Sequence, residues 1–330
     1  MDAAHTQSVL SAALAALHGG AARLVRWSVH DGFTAYGKRR VVRYELEAMV
    51  GAAGTARRYE WLGKFYDDDR DARRVASVLR QLAEVAASGA RTGPTVPGVI
   101  AYHAPERLLL LTYEPGEPVA SVIGHTTQAV VSAMGRALAA LHAAPIVLEE
   151  TVSPPWPATV LADLQPRVAE LCGRFPEEAA ALERARAALE RTAPPPPPSL
   201  CFVHGDFGPA NLLWRLGQVV VLDFDKCTSG DPALDLGNLL AQLFRMSLRK
   251  PDRLPDFAAA RAGVLDAYRR WSRPDRPDPG LEARVAWYQQ ATLLRKIHRL
   301  TFNTTRHPGP EGLRQRQVEA ERLLAVGTRG

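Results

Sequence analysis

The segment His204-Gly205-Asp206-Phe207-Gly208-Pro209-Ala210-Asn211, followed by Val221-Leu222-Asp223-Phe224-Asp225, holds the side chains with the greatest chemical capacity in the chain. Asp206 heads a tight loop, where a carboxylate can accept a hydrogen bond from a hydroxyl and later its proton. Asn211 closes that loop, and its side-chain carbonyl is an oxygen ligand of the kind hard cations prefer. Asp223 ends the apolar run Val219-Val220-Val221-Leu222 and can hold a second position on the same ion, with Asp225 as a further carboxylate. Gly205, Gly208 and Pro209 suit a loop bent so that both ends face one point. Taken singly, each half is an ordinary strand-to-helix turn or turn acid. Joined through two apolar strands and the turn Arg215-Leu216-Gly217-Gln218, they favour phosphoryl transfer, which needs an oriented hydroxyl and a charge clamp on phosphates.

Protein kinases arrange the same residue types as H-R-D-x-x-x-x-N and D-F-G. Here Gly205 takes the place of the Arg and Asp225 that of the last Gly. In this form, H-G-D-x-x-x-x-N with a later D-F-D, the chain resembles the aminoglycoside phosphotransferase and choline kinase-like family of small-molecule kinases. The resemblance implies ATP as donor, Asp206 as base, and Asn211 and Asp223 as Mg2+ ligands, with Asp225 assisting a second metal. It extends to Asp231-Pro232-Ala233-Leu234-Asp235-Leu236, where it implies that Asp235 holds the catalytic loop through backbone hydrogen bonds. The residue-level alternative for Asp235 is a helix N-cap. His204 is expected to brace the loop.

The elements needed to position these groups can be read from periodicity. Ser8–Leu17 reads as a short amphipathic helix and Leu24–Val29 as a strand. Val42, Tyr44, Leu46 and Ala48 alternate with charged residues, as a half-buried strand requires. Arg58–Tyr66 gives a third strand and Asp71–Ala87 a helix with one apolar face. Gly98–His103 and Leu108–Glu114 give two more strands. Beyond Gly116 helices dominate: Gln128–Ala143, one or two over Leu161–Leu189, then Leu236–Arg245, Phe257–Trp271, Leu281–Leu300 and Gly312–Leu324. Pro194–Pro198 cannot join either kind of element and reads as a stiff connector. The order implies an α+β, protein-kinase-like fold of two lobes: residues 1–114, an antiparallel sheet plus helix that binds nucleotide, and 115–330, mostly helical, with the catalytic loop and acceptor pocket.

Within the first lobe, Trp61-Leu62-Gly63-Lys64 occupies the strand that carries the phosphate-binding lysine of kinases. Leu62 and Lys64 fall on one face, so Leu62 can roof an adenine while Lys64 reaches phosphate. Lys64 is one of five lysines in a chain whose other basic residues are arginines. Glu84 is the candidate partner for Lys64, although it lies on the polar face of its helix. Thr112, Tyr113 and Glu114 form the expected hinge, where backbone groups meet the adenine edge. Gly32-Phe33-Thr34-Ala35-Tyr36-Gly37-Lys38 imitates the start of a Walker A loop, but Arg39 replaces the Ser or Thr that binds magnesium and a strand follows. Its position instead matches a phosphate-covering flap.

The chain has 330 residues, 46% apolar and 23% charged, with a net charge of +6. That composition is globular, and no run approaches the ~20 apolar residues of a membrane span. The positive charge is dispersed and accompanies no nucleic-acid-binding signature. Cys172, Cys201 and Cys227 are scattered outside metal-ligand spacings, which suits reduced thiols and a cytoplasmic setting. The expectation is therefore a cytoplasmic, ATP- and Mg2+-dependent kinase acting on a small-molecule hydroxyl acceptor, with neither nucleic acid nor membrane as partner. A nucleotide-binding regulator of the same fold that has lost turnover is the alternative, favoured by the irregular flap and the distant Glu84. The acceptor is not named by any motif. An aminoglycoside needs clustered carboxylates, and a choline-like cation needs an aromatic cage, for which Trp271, Trp287, Tyr288 and Phe302 are candidates. The oligomeric state is open.

Overall fold

The computed structural model describes residues 2–31, 40–88, 94–124, 127–148, 155–272, 278–302 and 310–327. The flap residues 32–39 lie outside this set. The chain divides into two compact units, Met1–Gly116 with Ile146–Glu150, and Glu117–Pro145 with Thr151–Gly330.

The first unit contains α1 (Ala3–Leu17), β1 (Ala22–Asp31), β2 (Val41–Val50), β3 (Thr55–Phe65), α2 (Asp69–Ala87), β4 (Val99–His103) and β5 (Leu108–Thr112). The strands form one antiparallel sheet in the order β1-β2-β3-β5-β4. α1 begins earlier than its periodicity suggests because Asp2 caps it, accepting from the His5 N–H at 2.8 Å. On one face of the sheet, Val42, Tyr44, Leu46, Trp61, Leu108 and Leu110 bury against Val9, Leu10 and Leu14 of α1. Gly63 belongs to that packing. A Cβ there would sit 2.7 Å from the Tyr44 ring, so the glycine lets an aromatic cross the strand. Strand alternation places Val41, Arg43, Leu62, Lys64, Leu109 and Leu111, matched in register, on the opposite face. α2 is capped by Asp68 and buries Ala72, Val75, Ala76, Val78, Leu79 and Leu82. Its Gln81 clamps the returning segment, donating to the Val147 carbonyl and accepting from the Val147 N–H at 3.0 and 2.8 Å.

The second unit contains β6 (Glu117–Pro118), α3 (Val119–Val122), α4 (Thr127–Ala143), α5 (Pro157–Arg174), α6 (Ala179–Arg191), β7 (Cys201–Val203), β8 (Leu212–Arg215), β9 (Gln218–Val221), β10 (Thr228–Gly230), α7 (Pro232–Arg249), α8 (Phe257–Trp271), α9 (Leu281–Phe302) and α10 (Pro310–Gly327). The apolar stretch Leu161–Leu189 resolves into two helices, broken at a short 3-10 turn that starts with Pro176. The two-residue strand β6 pairs with β8 and carries too little sequence to announce itself. The α+β class, with an antiparallel N-terminal sheet and a helical C-terminal part, agrees with the sequence expectation. Among the described residues no helix is long and apolar enough to cross a membrane.

The core of the second unit is built on close helix approach. A Cβ on Gly135 of α4 would meet the Val264 carbonyl oxygen of α8 at 2.4 Å, and one on Gly263 would meet Val131 at 2.8 Å. Backbone cannot move aside as a flexible side chain can, so Gly135→Ala should force α4 and α8 apart. We expect a loss of about 1–3 kcal/mol, read as a lower urea midpoint with an unchanged slope.

Candidate active site

Two short ladders fix the loop. β7 and β10 pair antiparallel with Val203 opposite Thr228, which sets Gly205 against Lys226. A Cβ at Gly205 would lie 2.3 Å from the Lys226 carbonyl oxygen, and the residue has φ +77°; only glycine meets both conditions. β8 and β9 pair with Leu212 opposite Val221, and the Leu222 N–H donates to the Asn211 carbonyl at 2.9 Å. Asn211 and Asp223 are thereby held at the same end of one hairpin.

The loop backbone hangs on a buried carboxylate. Asp235, fully buried at the first turn of α7, accepts from the His204 N–H at 2.7 Å and the Gly205 N–H at 2.8 Å. His142 of α4 approaches the same carboxylate at 3.2 Å and is itself held by the Tyr268 hydroxyl at 2.9 Å. Burial favours protonation of Asp235, but the hydrogen bond from His142 and the donors and dipoles around it, the His204 N–H among them, outweigh it and hold the group below its ordinary 3.8. The N-cap of α7 is Asp231, which accepts from the Ala233 N–H at 2.9 Å and pairs with Arg284 at 2.8 Å. Asp235 is thus the loop anchor and Asp231 the cap.

His204 braces the loop from within. Its Nδ1 accepts from the Asp206 N–H at 3.2 Å, so Nε2 carries the proton and donates to the Leu222 carbonyl at 2.9 Å. That bond ties the Asp206 loop to the Asp223 strand. Phe224 packs on Phe202 and His204, with ring centroids 6.3 and 4.8 Å apart, and anchors the turn after Asp223. Asp223 itself is left-handed, at φ 63° and ψ 71°, a conformation Asp tolerates better than most side chains. It swings the chain into a 3-10 turn, Phe224–Lys226.

That turn delivers a residue for which the sequence motifs gave no role. Lys226 Nζ lies 2.7 Å from Asp206 Oδ2. The signal available was its rarity as a lysine beside Asp225. Asn211 donates its side-chain N–H to the Asp206 carbonyl at 3.0 Å, which turns its amide oxygen to the other side. Asp225 lies half-buried in the same 3-10 turn.

The residues expected on the nucleotide side belong to the first unit. Lys64 is buried, at 7% exposure, with its ammonium 5.4 Å from the Tyr66 ring centroid, and Leu62 shares its face. Glu84 is exposed on α2, and no hydrogen bond or ion pair joins it to Lys64 among the described residues. The polar face that makes it soluble keeps it off the sheet. In the hinge, the Thr112 N–H donates to the Gly98 carbonyl at 2.9 Å and the Tyr113 N–H to the Glu60 carbonyl at 3.0 Å. Those two donors are therefore engaged within the sheet. Thr112 Oγ1 donates to Glu114 at 2.7 Å, and the Arg43 guanidinium covers the Tyr113 ring at 4.5 Å. The aromatic cage does not assemble. Trp287 and Tyr288 are core residues bonded to the Leu189 and Pro155 carbonyls, whereas Trp271 lies beside Arg136.

The sequence matches the phosphotransferase enzyme family over residues 49–276. No curated protein matches it. Among solved structures, it is similar to a macrolide 2'-phosphotransferase, MphH, from Brachybacterium faecium, with 21% identity, TM-score 0.52, and 97% of this chain and 98% of that one covered. A thermostable mutant of the aminoglycoside phosphotransferase APH(4)-Ia, in ternary complex with AMP-PNP and hygromycin B, has 17% identity, TM-score 0.57 and coverage of 98% and 100%. ADP-bound APH(2'')-Ib has 15% identity, TM-score 0.53 and coverage of 98% and 97%. At these identities the likeness is one of fold.

Asp235→Asn keeps the shape of the anchor and sets an amide N–H against a backbone N–H. It should cost about 1–3 kcal/mol at pH 7. Because the folded-state pKa of Asp235 is depressed, its stabilisation is present above the ordinary 3.8 and fades as pH falls through the folded value. Thermal melts of wild type and variant should therefore converge as the pH drops below about 4; melts that stay parallel would show that Asp235 is not the group responsible.

Proposed function

The chain belongs to the phosphotransferase enzyme family, and on that premise we propose that it transfers the γ-phosphate of ATP, with Mg2+, to a hydroxyl of a small molecule. The observation that carries this reading is the Asp206 carboxylate itself. It stands half-buried at a loop whose backbone is fixed by Asp235 and His204, 2.7 Å from the Lys226 ammonium. A carboxylate so held has one oxygen engaged by a cation and a second that can orient a hydroxyl.

The groups beside it fit a hard cation. Asn211, Asp223 and Asp225 offer oxygen donors only, and the Asn211 amide is oriented by its own bond to the loop. When bound, Mg2+ supplies charge neutralisation on the transferring phosphate. Asn211, Asp223 and Asp225 would hold it. Asp206 orients the acceptor hydroxyl and takes its proton as the new O–P bond forms. The bond from the γ-phosphorus to the β,γ-bridging oxygen breaks, and ADP leaves with that electron pair. Lys226 holds the Asp206 carboxylate in position, and can meet charge developing on the phosphoryl oxygens. In the first unit Lys64 anchors phosphate, Leu62 covers the adenine, and the Thr112–Glu114 segment flanks it.

Replacement of Asp206 by Ala should lower kcat about 10²–10⁴-fold while ATP affinity, read by calorimetry, stays near wild type. Lys64→Met should act the other way, raising KM for ATP more than it lowers kcat. An Asp206→Ala variant turning over at the wild-type rate would overturn the mechanism. Tight ATP binding without turnover of any hydroxyl compound would favour the regulator reading.

Lys226→Ala separates orientation from binding. We expect kcat to fall about 10–100-fold with KM for ATP little changed.

A further inference from the structure

α7 runs on past the catalytic loop. Three of its residues touch that loop: Asp235 at His204 and Gly205, Asn238 at the Gly205 carbonyl (3.5 Å), and Gln242 at the Phe207 carbonyl (3.4 Å). Gln242 also fills the space beside Gly208, where a Cβ would meet its amide at 2.2 Å. Spacings of three and four keep these side chains in one row. The row continues to Arg245 and Arg249, about 4.5 and 10 Å farther along the helix axis than Gln242.

α9 supplies a second row beside it. Thr292 Oγ1 donates to Asn238 Oδ1 at 2.7 Å, and Lys296 and Arg299 follow one and two turns on. From α10, Glu319 accepts from Arg245 Nε and Nη2 at 2.8 and 2.6 Å and lies 3.4 Å from Arg249 Nε. Arg245 and Arg249 thus share one carboxylate, which Arg245 already engages twice, and Lys296 and Arg299 add two more cations nearby. Among the described residues no hydrogen bond or ion pair reaches Lys296 Nζ. Burial, then the charges of Arg245 and Arg299, pushes the Lys296 ammonium down to about 7. A half-buried lysine beside cations in excess over carboxylates is unfavourable on its own. An oxyanion among them would remove that penalty with charge-assisted hydrogen bonds.

We propose that this wall beyond the catalytic loop is the acceptor site, and that the acceptor is an alcohol bearing an oxyanion, either a carboxylate or a phosphate ester. Lys296, Arg299 and Arg249 take the oxyanion while the hydroxyl is presented to Asp206. The assignment rests on the phosphotransfer reading. It runs against a polycationic acceptor, which the same charges repel.

Two measurements on the full chain test it. The first is calorimetric titration of sulfate in the presence of saturating AMP-PNP, which occupies the nucleotide side. Sulfate affinity should weaken at least fivefold in Lys296→Met and, independently, in the exposed-site variant Arg299→Met. Wild-type affinity in both variants would overturn the proposal, as would an absence of sulfate binding. The second follows ADP release with panels of hydroxy acids, phosphorylated alcohols, neutral sugars and aminoglycosides. Turnover confined to the first two panels is expected, and which of them responds separates carboxylate from phosphate. Turnover of an aminoglycoside in preference to both would refute an anionic acceptor and leave phosphotransfer standing. Failure to bind AMP-PNP at all would instead remove the phosphotransfer reading, and the acceptor role with it.

Discussion

A carboxylate with no access to water must be matched group for group, and the catalytic loop is shaped by that demand. Asp235 is matched by two consecutive backbone N–H groups, those of His204 and Gly205, and by His142. Immediately after these two N–H groups, Gly205 takes φ +77° and redirects the chain. The turn then sends Asp206 out of the core while His204 stays in it. Position of the Asp206 carboxylate and burial of the anchor are two consequences of one bond set.

The same set propagates outward. His204, fixed by Asp235 through its backbone, uses both ring nitrogens to join the Asp206 N–H to the Leu222 carbonyl. The strand that ends in Asp223 is therefore positioned by the loop that ends in Asn211. A buried network satisfied at every member resists partial loosening, because each lost bond leaves a desolvated polar group. Close helix approach serves the same end: Gly237 lets α7 lie against Tyr288 and Gln289 of α9, so the helix bearing Asp235 is itself held.

Much of this was legible in the sequence, for physical reasons that also mark where legibility ended. The strand β2 declared itself because one of its faces is buried and the other charged. Asp206, Asn211 and Asp223 stand out in the sequence because the proposed loop chemistry fixes both residue type and spacing. Asp235 was legible as an anchor only through the D-P-x-x-D-L resemblance; by propensity alone it competes with Asp231 for the N-cap, and the structure gives the cap to Asp231. His142 and Tyr268 carry no local pattern, since they reach Asp235 across long sequence separations that only packing determines. Lys226 was hidden for the related reason that the register of β7 against β10 brings it to Asp206. Glu84 was proposed by analogy with a kinase helix, yet the apolar face of α2 dictates which side meets the sheet, and Glu84 falls on the other.

The net charge of +6 decided nothing as a sum, and becomes informative only when its members are placed. Several arginines lie in pairs that cancel locally: Arg284 is buried between Asp231 and Asp278, and Arg186 lies between Glu183 and Glu190. Beyond the catalytic loop the cancellation is incomplete. Guanidinium groups hold their protons in proteins almost without exception, whereas a lysine can yield one when buried. The excess repulsion among Arg245, Arg299 and Lys296 therefore falls on the lysine, whose ammonium is weakened by burial first and by its neighbours second. Selection for stability alone would place an apolar side chain or a carboxylate partner there, since a half-buried amine among like charges lowers the stability of the fold. A cation kept in that position, one turn beyond the Thr292–Asn238 contact with the loop, is accounted for most simply by an anion that visits it.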